Sequence, residues 1–214
     1  MRKPINTLQY ITSGSPAEQI QQAKEACAAG IKWLQLRIKK ESTDTVLATA
    51  LAVKALCKEY GVTFILNDHL EIAKQVDADG VHLGKEDSSP LAARELLGAD
   101  KIIGGTSNTF EDIKHLVSCG VDYIGLGPFR FTSTKEKLSP IVGLEGYANI
   151  NQACIAEHIN TPIIAIGGIT TADVEDIIET GMYGIAVSIM SSTSVMVIPP
   201  MATMGVFICS AIQA

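Results

Sequence analysis

Eight short runs of aliphatic, β-branched and aromatic residues recur along the chain, separated by longer stretches of helical periodicity. The runs are "LQYIT" (8–12), "WLQLRI" (33–38), "TFIL" (63–66), "GVHLG" (80–84), "IIGGT" (102–106), "YIGLG" (123–127), "PIIAIGG" (162–168) and "GIAVS" (184–188). Most are apolar throughout rather than alternating, the pattern of strands covered on both faces. Between them, "PAEQIQQAKEACAAG" stops at Gly30 and "TDTVLATALAVKALCKEYG" at Gly61, each ending on the residue that most readily turns a helix off. "TTADVEDIIETG" begins with a threonine cap and early acids, and it too closes on a glycine.

Strands alternating with helices at even spacing predict parallel βαβ units. A doubly wound open sheet would carry a glycine-rich phosphate loop after its first strand. Here "YITSGSPAEQ" holds one glycine and no G-x-G-x-x-G. The expected fold is therefore α/β, a single (β/α)8 TIM barrel spanning residues 1–214. Its last helix is the exception. No charged residue occurs from Met182 to Ala214, so 189–214 offers no polar outer face and is expected to be atypical and irregular. Pro199-Pro200 interrupts that stretch, and the segment "MATMGVFICSAIQA" beyond it is too short to span a bilayer, so no membrane partner is expected.

A TIM barrel gathers its chemistry at the C-terminal ends of its strands. Gln35, Arg37 and Lys39 succeed one another at a spacing of two, which sends all three to one face. The third strand ends in Asn67-Asp68, with His69 next; the fourth is followed by Lys85, Glu86 and Asp87; the fifth ends in "GGTSN". The sixth runs into "GPFRFTSTKEK", which gathers Arg130, Lys135 and Lys137 with several hydroxyls, and the seventh and eighth end in Gly167-Gly168 and Ser188. Cations, hydroxyls, bare glycine backbone and two separated aspartates on one rim suit a phosphorylated ligand held with a divalent metal. Magnesium takes one or two protein carboxylates and fills its other positions with water and phosphate oxygens, which assigns it to Asp68 and Asp87. Arg37 would grip phosphate in a fork, with Lys39 and Lys135 as point charges. Gly167-Gly168 matches the phosphate site that many barrels carry after strand seven. His82 reads as a hydrogen-bonded strand histidine rather than a base, and Gly104-Gly105 as a close-packing pair. His69 is left open between cap and ligand.

The chain has a net charge of -6 and a pI near 5.2, which argues against nucleic acid or an anionic membrane as main partner but not against a small anion held by local cations. Five scattered cysteines without a C-x-x-C pair fit buried free thiols in a reducing cytoplasm, and no secretory signal precedes the first strand. Oligomeric state is left open.

In order and spacing, "QLRIK" (35–39), "ILND" (65–68), "DGVHLGKED" (79–87), "IGGTSN" (103–108), "DYIGLGPF" (122–129), "TSTK" (132–135) and "PIIAIGGIT" (162–170) resemble the thiamine phosphate synthase family from about Leu8 to Ser188. That resemblance implies magnesium-dependent joining of a hydroxymethylpyrimidine diphosphate to a thiazole phosphate, with release of pyrophosphate. By motif position it implies that Arg37, Lys39, Asn67 and Lys135 hold the diphosphate and that Asp68 and Asp87 bind the metal. Gln35 and Thr106 would meet the pyrimidine, and Thr132, Thr134, Gly168 and Ser188 the thiazole phosphate. The sequence departs from the family at Lys85, where glutamine is frequent, adding a cation near the metal, and at Phe131, where proline is frequent. It departs again after Ser188. Two alternatives remain at this point: a thiazole tautomerase on the same barrel, which needs neither diphosphate clamp nor metal pair, and a non-catalytic binder of thiamine-pathway ligands.

Overall fold

The structure, a computed structural model, describes residues 3–131 and 140–188, together with the backbone of 196–197 and 208–209. The expected Thr132, Thr134 and Lys135 lie outside those residues, as does most of 189–214. Eight parallel strands close into a barrel in sequence order. They are β1 (Leu8–Ile11), β2 (Trp33–Leu36), β3 (Thr63–Asn67), β4 (Gly80–Leu83), β5 (Ile102–Ser107), β6 (Tyr123–Leu126), β7 (Ile163–Ile166) and β8 (Gly184–Val187). The ring shuts where β8 pairs with β1, with Gln9 beside Ala186 and Tyr10 beside Val187. Met196–Val197 and Ile208–Cys209 form a separate antiparallel pair.

Helices cover the outside: α1 (Pro16–Ala28), α2 (Thr43–Tyr60), α3 (Leu70–Gln75), α4 (Pro90–Leu97), α5 (Phe110–Ser118), α6 (Gly143–Ala156) and α7 (Val174–Glu179), the last preceded by a 3₁₀ turn, Thr171–Asp173. Their starts reflect local chemistry. Ser15 caps α1 in a reciprocal box with Glu18, and Pro16 fills the first turn, where its missing N–H costs nothing. Ser42, Ser89 and Thr109 cap α2, α4 and α5 through their hydroxyls. Gly61 ends α2 in the left-handed conformation expected from the sequence. Among the described residues no helix is long and apolar enough to cross a membrane.

Nearly every strand residue is buried, and alternate residues face two different cores. Leu34, Leu36, Phe64, Leu66, Val81 and Ile103 pack under the helices. Ile11, Trp33, Ile65, Ile102, Tyr123, Ile164 and Ala186 fill the inside, where Trp33 meets Tyr123 edge-on at 4.8 Å between ring centres. Continuous apolar runs are the right signature because each strand has these two dry faces. Six strand ends fall one or two residues short of the sequence reading, and β3 and β5 run one residue beyond it. β2, expected to reach Ile38, stops at Leu36, and beyond it the Arg37 N–H donates to the Thr12 hydroxyl at 3.3 Å.

Glycine sets how closely the strands approach. A Cβ on Gly80 would lie 2.1 Å from the Ile102 carbonyl oxygen, and one on Gly104 would lie 2.2 Å from the Tyr123 ring. Gly104 therefore allows close packing, as expected. Because the Gly80 neighbour is main chain and cannot rotate away, Gly80→Ala is expected to lower stability by roughly 1–3 kcal/mol. Urea denaturation measures it, and an unchanged midpoint would contradict the packing described.

Candidate functional site

Two groups of side chains meet at the C-terminal rim, and a third crosses the barrel interior. The first is acidic. β3 ends at Asn67, which is buried, and the chain turns outward at Asp68 in a left-handed conformation, φ 64°, that aspartate tolerates better than most residues. Its N–H still donates to the His82 carbonyl at 2.9 Å, so Asp68 stays fixed to the neighbouring strand. Asp87 arrives from the turn after β4, held by the Gly84 N–H at 2.7 Å. Burial, and after it the approach of the Asp87 carboxylate, pushes the Asp68 carboxyl up to about 6. Lys39, 3.4 Å from Asp68, pulls the other way. Two hard oxygen donors pressed together at a cost to the ionisation of Asp68 fit a divalent cation, which would relieve their repulsion. Among the described residues no group of three or more His, Cys, Asp or Glu side chains is placed to hold a metal, so any ion here must draw most of its ligands from water and substrate.

The second group is a cavity of about 150 Å³ lined from β1, β2, β6, β7 and β8 by residues that include Thr12, Ser13, Arg37, Gly167, Gly168 and Ser188. Arg37 is half-buried; loss of water works against its charge, and the carboxylate of Asp68 supports it. Arg37 thus links the cavity to the acidic pair. Ser188 sits across from the β1 loop, its hydroxyl donating to that of Ser13 at 3.2 Å. Gly167 and Gly168 have φ of 98° and 73°, so the chain turns here in a way few other residues allow.

The third group crosses the barrel interior as a hydrogen-bonded row. The Gln35 amide donates to Gln9 Oε1 at 3.2 Å, and Gln9 Nε2 donates to the Tyr123 hydroxyl at 3.2 Å. That hydroxyl lies 2.9 Å from His82 Nδ1, and His82 Nε2 lies 3.0 Å from Thr106 Oγ1. In the tautomer in which the Tyr123 proton goes to Nδ1, the imidazole proton is on Nε2 and points to Thr106, whose hydroxyl proton is then left to donate. Burial pushes the Tyr123 hydroxyl up, which keeps it a neutral donor. The row therefore joins the two residues expected to meet a pyrimidine, Gln35 and Thr106, through three that hold them in place.

Several sequence expectations are settled by these contacts. His82 is the hydrogen-bonded strand histidine expected. His69 faces the Ile38 carbonyl through Nε2 at 3.2 Å and ties the β2 loop to α3 without a side-chain cap bond, which gives it a structural contact. The Lys85 ammonium donates to Asp112 at 2.6 Å on the first turn of α5, so the added cation is offset by a carboxylate of its own. Arg130 is likewise paired, with Asp173. Sequence reasoning missed Gln9, Tyr123 and Asp173. An amide within the apolar "LQYI" is the one available signal. Four of the cysteines, Cys27, Cys57, Cys119 and Cys154, are buried and free, as expected.

Comparison with known proteins matches this arrangement to one family: the thiamine monophosphate synthase profile covers residues 8–190. The chain belongs to that family. It is 51% identical over 184 residues to the thiamine-phosphate synthase of Flavobacterium johnsoniae, covering 86% of this chain and 87% of that one. It is 49% identical to the Phocaeicola vulgatus enzyme of the same name, covering 85% of this chain and 88% of that one. Among solved structures, thiamine phosphate pyrophosphorylase from Pyrococcus furiosus superposes with a TM-score of 0.74 at 31% identity, over 85% of each chain.

The interior row makes a prediction of its own. Tyr123→Phe leaves Gln9 and His82 each short of a buried partner and is expected to cost about 1–3 kcal/mol by chemical denaturation. A variant as stable as the parent would show that the row carries no weight.

Proposed function

We infer that this chain forms thiamine phosphate by joining 4-amino-2-methyl-5-hydroxymethylpyrimidine diphosphate to 4-methyl-5-hydroxyethylthiazole phosphate, releasing pyrophosphate. The observation that carries the reading is the Asp68–Asp87 pair, with Lys39 against it and Arg37 between it and the cavity. A tautomerase would have no use for that cluster.

The bond between the pyrimidine methylene and the diphosphate oxygen breaks with its electron pair leaving on oxygen. The electron-rich aminopyrimidine bears the resulting cation, and the thiazole nitrogen then supplies the pair for the new C–N bond. No protein nucleophile takes part. The residues act by charge and alignment. Arg37, Lys39, Asn67 and Lys135 hold the diphosphate and take up the charge developing on the leaving oxygens. Asp68 and Asp87 would hold magnesium, which when bound supplies further positive charge to that leaving group. Gln35 and Thr106 align the pyrimidine; the donor left on Thr106 suits a ring nitrogen. Gly168 and Ser188, with Thr132 and Thr134 from the loop after β6, take the thiazole phosphate at the cavity. The substrates are thus two small phosphorylated heterocycles.

Incubating the purified protein with both substrates and magnesium should yield thiamine phosphate and pyrophosphate in equal amounts, read by chromatography. Asp87→Asn and Lys135→Ala should each slow turnover by roughly ten- to a hundredfold, the size of a lost charge-assisted contact felt in the transition state. A folded parent protein that makes no product defeats the reading. Parental turnover in Lys135→Ala removes that residue from the clamp.

A further inference from the structure

Arg130 stands early in the loop after β6, with a cation that the proposed chemistry leaves unused. Its guanidinium forms a two-point pair with Asp173: Nη1 donates to Oδ2 at 2.9 Å and Nη2 to Oδ1 at 2.5 Å. Asp173 is also the hub of the turn after β7. Its Oδ2 accepts from the Thr170 N–H at 2.7 Å and from the Thr170 hydroxyl at 2.6 Å. The main chains run together as well, with the Phe129 N–H donating to Ile166 O at 2.9 Å and the Arg130 N–H to Gly167 O at 3.1 Å. The arginine side chain lies directly over Gly168, since a Cβ there would meet Arg130 Cγ at 2.5 Å. On their inner side Gly168 and Ile169 line the cavity. Among the described residues neither donates its main-chain N–H to a backbone acceptor.

The ion pair has two effects on this turn. It fixes the outer side of the turn whose N–H groups are left for an anion, and the anchor is firm because Phe129 stacks on buried Tyr147 at 5.8 Å between ring centres, with Arg130 4.7 Å above the Phe129 ring. The pair also cancels the charge of Asp173, which would otherwise repel an anion bound close by. Lysine could supply the charge but not the two-point grip.

We propose that Arg130 is a positioning residue for the second substrate: by clamping and neutralising Asp173 it holds the Gly167–Thr170 turn in the arrangement that receives the thiazole phosphate. The inference rests on the reading that this cavity is the thiazole-phosphate subsite. Steady-state kinetics on the full chain test it, varying each substrate separately and comparing the thiazole phosphate with the unphosphorylated thiazole alcohol. Arg130→Gln is expected to raise KM for the thiazole phosphate about five- to tenfold and to leave KM for the pyrimidine diphosphate within about twofold. Arg130→Lys, which restores charge alone, should fall between the parent and Arg130→Gln. Asp173→Asn should raise the same KM and not the other. Because KM does not depend on the amount of active protein, partial unfolding cannot imitate this split. Both KM values moving together, or neither moving, overturns the proposal. So does Arg130→Gln keeping the parent's preference for the phosphate over the alcohol. A parent protein indifferent to that phosphate overturns the subsite reading, and this inference with it.

Discussion

The pairing of β8 with β1 closes the ring, and the contacts that span the barrel depend on that closure. Gln9 donates to Tyr123 across 114 positions of sequence, and Ser188 reaches Ser13 across 175. Neither contact exists until the last strand has docked on the first. An open sheet of the same strands would leave β1 and β8 on opposite edges, splitting the cavity between them. Closure in parallel also points all strand ends the same way, which brings Arg37, Asp68, Asp87 and Gly168 to one side of the molecule. Glycine lets the strands come near enough to close, since Gly80 and Gly184 each face a neighbouring carbonyl oxygen where a side chain would collide.

Electrostatics on that rim work against the free protein and in favour of the complex. Asp68 sits beside Asp87 with its carboxyl pushed up to about 6, and Arg37 gives up water to line the cavity. A fold under selection for stability alone would avoid such a pair, because like charges in partial burial oppose folding. On the proposed function, a diphosphate with its metal ion would supply the missing opposite charges to both at once. The rim is therefore organised in advance around charges that arrive with the substrate, and the catalysis proposed consists largely of that organisation.

How much of this is legible in the sequence differs by kind of contact. The barrel is, because two dry faces per strand write continuous apolar runs, and helix caps such as Ser15 and the Gly61 stop are local signals. The meeting of Asp68 and Asp87 is, because each comes soon after a strand run. Contacts set by register are not. Sequence position alone shows Lys85 as a free cation two residues before Asp87, yet adjacency of β4 and β5 brings Asp112 within reach of its ammonium. Gln9 and Tyr123 look like ordinary strand residues until closure makes them neighbours. Arg130 stands out in the sequence as a charge, but its partner lies 43 positions away and belongs to a different loop.

A crystal structure of the protein grown with pyrophosphate and magnesium tests the central claim most directly. The account predicts one metal ion shared by the carboxylates of Asp68 and Asp87, with a pyrophosphate oxygen on that ion and another on the Arg37 guanidinium. Pyrophosphate bound away from Arg37, or an ion that engages neither aspartate, would contradict it.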